Sequence, residues 1–309
     1  MWPYIQIARP DHWFKNVFLL PGVLLAFFFS PASWNWDVLP RLLLALVSVC
    51  LVASSNYVLN EILDAPYDQF HPVKKHRPIP SGKINVPAAY AELILLAAAG
   101  LAIGFRINLP FGLTALVLWV MGLLYNVKPV RLKDLPYADV LSESVNNPLR
   151  LLLGWYGTGC LLQPPLSMAL AYWMFGAFLM ATKRFAEYRD IGDPERAAKY
   201  RKSFGYYTEE RLLVSIIAYV ALFAMFAGFF IARYHMDVIL ATPIVACAMG
   251  YYLHLGFMPH SVVQYPEGLY REHKLSLLIL AAFVACCVLL YVEVPRFGAL
   301  FVPTHIQAR

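Results

Sequence analysis

Asn60, Asp64 and Asp68 stand four residues apart where a long apolar run gives way to a polar stretch. On a helix that spacing puts all three on one stripe. Two carboxylates and an amide offer only oxygen, the donor set of a hard divalent cation. Mg2+ suits it best, because it takes one or two carboxylates and completes its shell with substrate phosphates. Lys74, Lys75 and Arg77 follow at once, and such cations can hold phosphate charge that a metal leaves unneutralised. The plain alternative is a helix end with solvated charges and a basic loop. Ionisable residues beside a membrane span are functional by default, so we take Asp64, Asp68, Lys74 and Arg77 as catalytic candidates and Asn60, Asp64 and Asp68 as metal ligands.

Three further groups carry chemistry. Lys128, Arg131 and Lys133 form a second cationic wall after the fourth apolar run. Glu143, Asn146, Asn147 and Arg150 interrupt the fifth run at i, i+3, i+4 and i+7, so one helix face would carry all four into the bundle or a wet cavity. Glu143 and Arg150 lie two turns apart, which leaves a direct ion pair open. Lys183, Glu187 and Asp190 share a face at the end of the sixth run, beside Arg184. A long hydrophilic stretch then runs through Arg201 and Lys202 to Glu210, a candidate lid. Structural hydrogen bonding between helices and a solvated helix face are the competing readings.

The elements that position these groups are membrane helices. The 309 residues are 60% hydrophobic and 14% charged, against about a quarter charged in soluble domains. Helix-length apolar runs, not ten-residue alternations, point to an all-α bundle. Nine spans are predicted, near 16–32, 39–63, 87–106, 111–126, 138–159, 166–183, 212–232, 237–257 and 275–293, forming one integral-membrane domain over 1–309. Of the 25 lysines and arginines, 19 fall on the side holding the N-terminus and every polar motif. The positive-inside rule then gives a cytoplasmic N-terminus, an outer C-terminus, a multi-pass protein of the cytoplasmic (inner) membrane and a site facing the cytoplasm. The net charge of +6 calls for no nucleic acid. The start lacks the pattern of a cleavable signal peptide. The five cysteines and scattered histidines show no metal spacing and read as packing or interfacial residues.

Together these features resemble the UbiA superfamily of intramembrane prenyltransferases, across essentially the whole chain. The Asn-x-x-x-Asp-x-x-x-Asp motif matches at Asn60, Asp64 and Asp68. Arg9-Pro10-x-x-Trp13-x-Lys15-Asn16, His71-Pro72-x-Lys74-x-x-Arg77-Pro78 and Lys183-Arg184-x-x-Glu187 look like the decaprenyl-phosphate phosphoribosyltransferases. Two features depart: Glu61 stands where that subgroup has Asp, and Tyr125 to Lys133 looks more like the aromatic and chlorin prenyltransferases. Ala186 precedes Asp190 where a second acidic motif would need a carboxylate. The resemblance implies a Mg2+-dependent transferase joining a polyprenyl phosphate to 5-phosphoribosyl 1-diphosphate with loss of diphosphate. Prenyl transfer from a diphosphate to an aromatic or other small acceptor is the second reading, and a non-catalytic lipid carrier the third. Lys15, Asn16, Lys128, Arg131, Glu143, Asn146, Asn147, Arg150, Lys183, Arg184 and Glu187 are the implied substrate contacts.

Overall fold

In hydrocarbon every backbone amide must find its partner within the chain, and the described residues meet that demand with helices alone. The structure is a computed structural model, and it describes residues 2–69, 74–295 and 297–301. In chain order the helices are α1 (Trp2–Ile7), α2 (Leu20–Phe29), α3 (Val38–Asp68), α4 (Val86–Ile107), α5 (Leu109–Asn126) and α6 (Ala138–Ser144). They continue with α7 (Asn146–Gly157), α8 (Leu166–Ile191), α9 (Pro194–Tyr200), α10 (Glu209–Tyr234), α11 (Thr242–Gly256) and α12 (His273–Tyr291). Among the described residues, eight helical stretches are long and apolar enough to cross a membrane.

The fifth expected span, 138–159, is not one helix. It divides into α6 and α7 at Val145. Pro148 supplies the reason: it has no N–H for the Ser144 carbonyl, and its ring crowds that carbonyl. Gly176 of α8 sits against the break, where a Cβ would run into the Asn147 side chain. The first span also starts earlier than expected, because α1, a 3-10 segment (Pro10–Leu19) and α2 form one helical stretch from Trp2 to Phe29.

Among the described residues, buried apolar side chains form four clusters, and two of them frame the site. One joins α3, α5 and α7 through Val49, Val52, Phe111, Leu118 and Leu153; the other joins α8, α10 and α11 through Phe178, Phe185, Ile216 and Tyr252. Lipid gives helices no hydrophobic reason to associate, so close packing and polar contacts hold them together. Ser48 Oγ donates to the Gly100 carbonyl at 2.7 Å and clasps α3 to α4. The approach of α2 to α7 is closer still. A Cβ on Gly22 would strike the Leu151 carbonyl, and one on Gly154 the Leu19 carbonyl. That approach matters for function, because it brings Asn16, just before α2, against Arg150 of α7.

Candidate active site

The polar groups converge at one end of the bundle. Asn60 and Asp64 do share a stripe of α3, and the loop after α5 folds back onto it. Lys133, buried at 6% exposure, places its Nζ 2.6 Å from Asp64 Oδ1, 3.0 Å from Asn126 Oδ1 and 3.3 Å from Asn60 Oδ1. Burial pulls the Lys133 ammonium below the usual lysine range, with Asp64 opposing that shift. Arg131 Nη2 lies 3.1 Å from the same Asp64 oxygen, and its Nε 3.3 Å from Asp134 Oδ2. Arg131 adopts a left-handed backbone (φ 33°), a conformation that costs a β-carbon-bearing residue energy and gathers at functional sites.

Asp68, one turn further, is buried and holds Arg77 Nη1 at 2.6 Å. Residues 70–73, with His71 and Pro72, and the Lys74 side chain lie outside the described residues. Glu61 takes no part in the stripe. Its Oε1 accepts the Ile79 N–H at 3.1 Å and pins the turn that carries Arg77. Asn60, Asp64 and Asn126 already gather three oxygens around one cationic nitrogen, so the donor chemistry fits a hard cation. With only two carboxylates nearby, substrate phosphate would have to complete a Mg2+ shell. When bound, Mg2+ would supply Lewis-acid stabilisation of charge on a leaving diphosphate.

A second cluster surrounds α8. Arg184 Nη1 lies 2.7 Å from Glu187 Oε2, and Lys183 Nζ is 4.0 Å from Glu187 Oε1. The third member of the expected face, Asp190, points elsewhere, to His260 Nδ1 at 3.1 Å. Ala186 is buried. Asp193 caps α9, accepting from the Glu195 and Arg196 amides at 2.8 and 3.1 Å, which hold its carboxyl below the usual range. Lys183, Arg184 and Arg201 outnumber Glu187 and Asp139 here, so the α8 end is a cationic site.

Its centre is a residue the sequence did not single out. Asp139, fully buried on α6, accepts from Tyr207 Oη at 2.7 Å and Ser203 Oγ at 3.1 Å. Arg184 Nε and Arg201 Nη1 stand 3.3 and 3.7 Å from its Oδ2. The expected lid is thus folded down and anchored: α9 and the turn after it dock on the bundle through Arg201, Ser203 and Tyr207. Burial beside Asp139 pushes the Tyr207 phenol up. Only the uninterrupted Tyr125–Lys133 motif, six residues before Asp139, could have drawn attention to this region from sequence.

The break at Pro148 divides the polar face predicted for the fifth span. Arg150 Nε turns to Asn16 Oδ1 at 3.2 Å, and Asn16 Nδ2 donates to Cys50 Sγ at 3.1 Å. Among the described residues no ion pair joins Arg150 to Glu143, which is half-buried. Asn146 contributes its carbonyl to Arg150 Nη1 at 3.5 Å, and Asn147 packs against Gly176. So Arg150 and Asn16 do meet. Lys15 lies over the Tyr57 ring at 6.0 Å. Lys128 lines a 550 Å³ cavity with Arg131, Asp134 and Lys202.

The model of the UbiA prenyltransferase family matches residues 18–262. The chain belongs to the UbiA prenyltransferase family. Among curated UbiA-like relatives, a decaprenyl-phosphate phosphoribosyltransferase of Mycolicibacterium smegmatis is 33% identical over 212 residues. That match covers 67% of this chain and 63% of the relative, so it spans slightly less than two thirds of that protein. The enzyme of the same name from Corynebacterium glutamicum is 30% identical over 237 residues, 75% of this chain and 69% of its own. A solved UbiA homolog from Archaeoglobus fulgidus, bound to DMAPP and Mg2+, superposes with a TM-score of 0.69 over 93% of this chain and 99% of that one. At 20% identity that likeness speaks for the UbiA fold alone.

Proposed function

We propose that the protein joins a polyprenyl phosphate to 5-phosphoribosyl 1-diphosphate, dependent on Mg2+, with release of diphosphate. The observation that carries this reading is the character of the α8 cluster. Where a second metal-binding motif would need carboxylates, the chain offers Lys183, Arg184 and Arg201 against Glu187 and Asp139. Such a cation-rich, buried site suits the phosphate of a lipid acceptor, through charge-assisted hydrogen bonds. A second metal-bound diphosphate would need acidic groups there instead. The phosphoribosyltransferase relatives support the same choice.

In this reading Asn60, Asp64 and Asp68 hold the donor end, and Lys74, Arg77, Lys128 and Arg131 bind the diphosphate. Oriented cations at developing negative charge are the largest kind of stabilisation such a site can offer. A lipid phosphate oxygen attacks C1 of the ribose. The new C–O bond forms as the bond from C1 to the diphosphate breaks, and that electron pair leaves with diphosphate. A phosphate monoester is already ionised at neutral pH, so no strong general base is required. Lys183 and Arg184 orient the attacking phosphate, and Arg150, held by Asn16, faces the same interior. The donor is water-soluble and the acceptor is a lipid, so the site at a bundle end meets both. The charge bias of the loops supports a cytoplasmic-facing site in the inner membrane, with the N-terminus on the same side.

The test is diphosphate release by purified protein in detergent with Mg2+. Polyprenyl phosphate with 5-phosphoribosyl 1-diphosphate is expected to turn over. Turnover only with polyprenyl diphosphate and 4-hydroxybenzoate would overturn the reading in favour of prenyl transfer.

A further inference from the structure

Arg201 and Lys202 are neighbours in sequence with opposite surroundings. Arg201 has an extended backbone (φ −148°, ψ 128°), and Lys202 opens the 3-10 turn Lys202–Gly205 that follows it. The contacts divide at that junction. Arg201 and Ser203 both reach Asp139. Lys202 turns the other way, 3.6 Å from Asp134, and lines the 550 Å³ cavity with Lys128 and Arg131. Arg201 Nη2 also donates to Tyr125 Oη at 3.1 Å, which ties the segment to the end of α5.

The Arg201 side carries buried donors. Arg184 Nε and Arg201 Nη1 are buried and face Asp139 Oδ2 at 3.3 and 3.7 Å, ion-pair contacts without hydrogen-bond geometry. Arg184 itself is only 6% exposed. Buried N–H groups of a guanidinium gain from an acceptor in better geometry, such as a phosphate oxygen. The Lys202 side is different: it opens to water, Lys202 is 71% exposed, and Arg131 links it directly to Asp64.

We infer that residues 201–203 form a two-faced bridge between the buried cation cluster of α8 and the Lys128–Arg131 cavity, with Arg201 serving the lipid phosphate and Lys202 the phosphate of the soluble donor. Asp139 is the positioning residue that fixes which way each cation faces, by holding Arg201 and Ser203 on one side. The inference rests on the phosphoribosyl-transfer reading above, adds Lys202 to its binding residues and separates the role of Lys202 from that of Arg201. Because one short segment touches both the cluster and the cavity, the two substrates are read by adjacent side chains with separable effects.

The experiment compares Arg201→Gln, Lys202→Gln and Ser203→Ala in the full-length protein. Each KM is measured with the other substrate saturating. Arg201→Gln is expected to raise the KM for the lipid phosphate about tenfold, the loss of one charge-assisted hydrogen bond. Its KM for the donor stays within about twofold. Lys202→Gln is expected to do the reverse, about threefold, since the exposed ammonium is screened. Ser203→Ala is expected to follow Arg201→Gln in direction, because it loosens the Asp139 anchor. A purely structural role would move both KM values together, and that result overturns the bridge. Unchanged KM values in both charge variants overturn it as well.

A binding arm separates this inference from the reaction it rests on. Farnesyl phosphate and ribose 5-phosphate are titrated against each variant, following thermal stability in detergent. Arg201→Gln is expected to lose the shift caused by farnesyl phosphate and keep that caused by ribose 5-phosphate, and Lys202→Gln the converse. If wild-type protein fails to turn over the phosphoribosyl pair but these shifts divide as stated, the reaction is wrong and the bridge stands. If turnover is present and the shifts do not divide, the bridge is wrong.

Discussion

Asp64→Asn, set against Glu61→Gln, tests whether the position of a carboxylate or merely its presence matters here. The two residues are three apart on α3, and both are carboxylates at the same helix end. Asp64 Oδ1 receives Lys133 Nζ at 2.6 Å and Arg131 Nη2 at 3.1 Å. Hydrogen bonds to charged groups contribute about 1.5–3 kcal/mol each. An asparagine keeps one acceptor oxygen, and Lys133 keeps Asn60 and Asn126. The expected loss of stability is therefore about 2 kcal/mol, small against the roughly 5–15 kcal/mol of a folded protein. The variant should stay folded. The chemical loss is larger. Removing one preorganised charge-stabilising group costs about 10²–10³-fold in turnover, and Asp64 is proposed as a metal ligand besides. Glu61→Gln retains the acceptor for the Ile79 amide, so less than about 1 kcal/mol of stability is at stake and turnover is expected within about fivefold of wild type. The assay is Mg2+-dependent diphosphate release, with thermal unfolding in detergent run beside it. Asp64→Asn within tenfold of wild type would refute the reasoning. So would a Glu61→Gln variant that folds and is as inactive as Asp64→Asn, because the site would then not be the Asn60–Asp64–Asp68 stripe.

Removal of divalent cations with EDTA is expected to abolish turnover, with recovery on adding Mg2+; undiminished diphosphate release in EDTA would remove the metal from the mechanism. Arg150→Ala is expected to lower turnover at least about tenfold, since it strips a buried partner from Asn16, whereas Arg233→Ala on α10 is expected to leave kcat/KM unchanged; equal values for the two would separate Arg150 from function. Gly22→Ala forces a β-carbon into the Leu151 carbonyl and is expected to cost about 1–3 kcal/mol, read as a lower Tm. An unchanged Tm would mean that α2 and α7 can part without loss.

Much of this protein follows from local rules that operate along one chain. Composition alone commits it to the membrane, because apolar runs of helix length have no other stable solvent. The four-residue spacing puts Asn60 and Asp64 side by side, since a helix repeats every 3.6 residues whatever surrounds it. The motifs at 60–68 and 183–187 were enough to point to the UbiA family, which the match over residues 18–262 bears out. Local rules fail where a distant partner decides. Glu143 to Arg150 has helical spacing, yet Pro148 breaks the run and Arg150 is taken by Asn16, 134 residues away. Asp190 has the spacing of Lys183 and Glu187, yet it turns to His260. Lys133 reads as one cation among three in a loop, and only the fold shows it buried against Asp64. Asp139 carries no motif at all. Its role exists because α6, α8 and the segment after α9 bring two guanidiniums, a serine and a tyrosine to one carboxylate. A buried charge must find its partners wherever the chain has placed them, and that requirement is met in three dimensions, beyond the reach of spacing along the sequence.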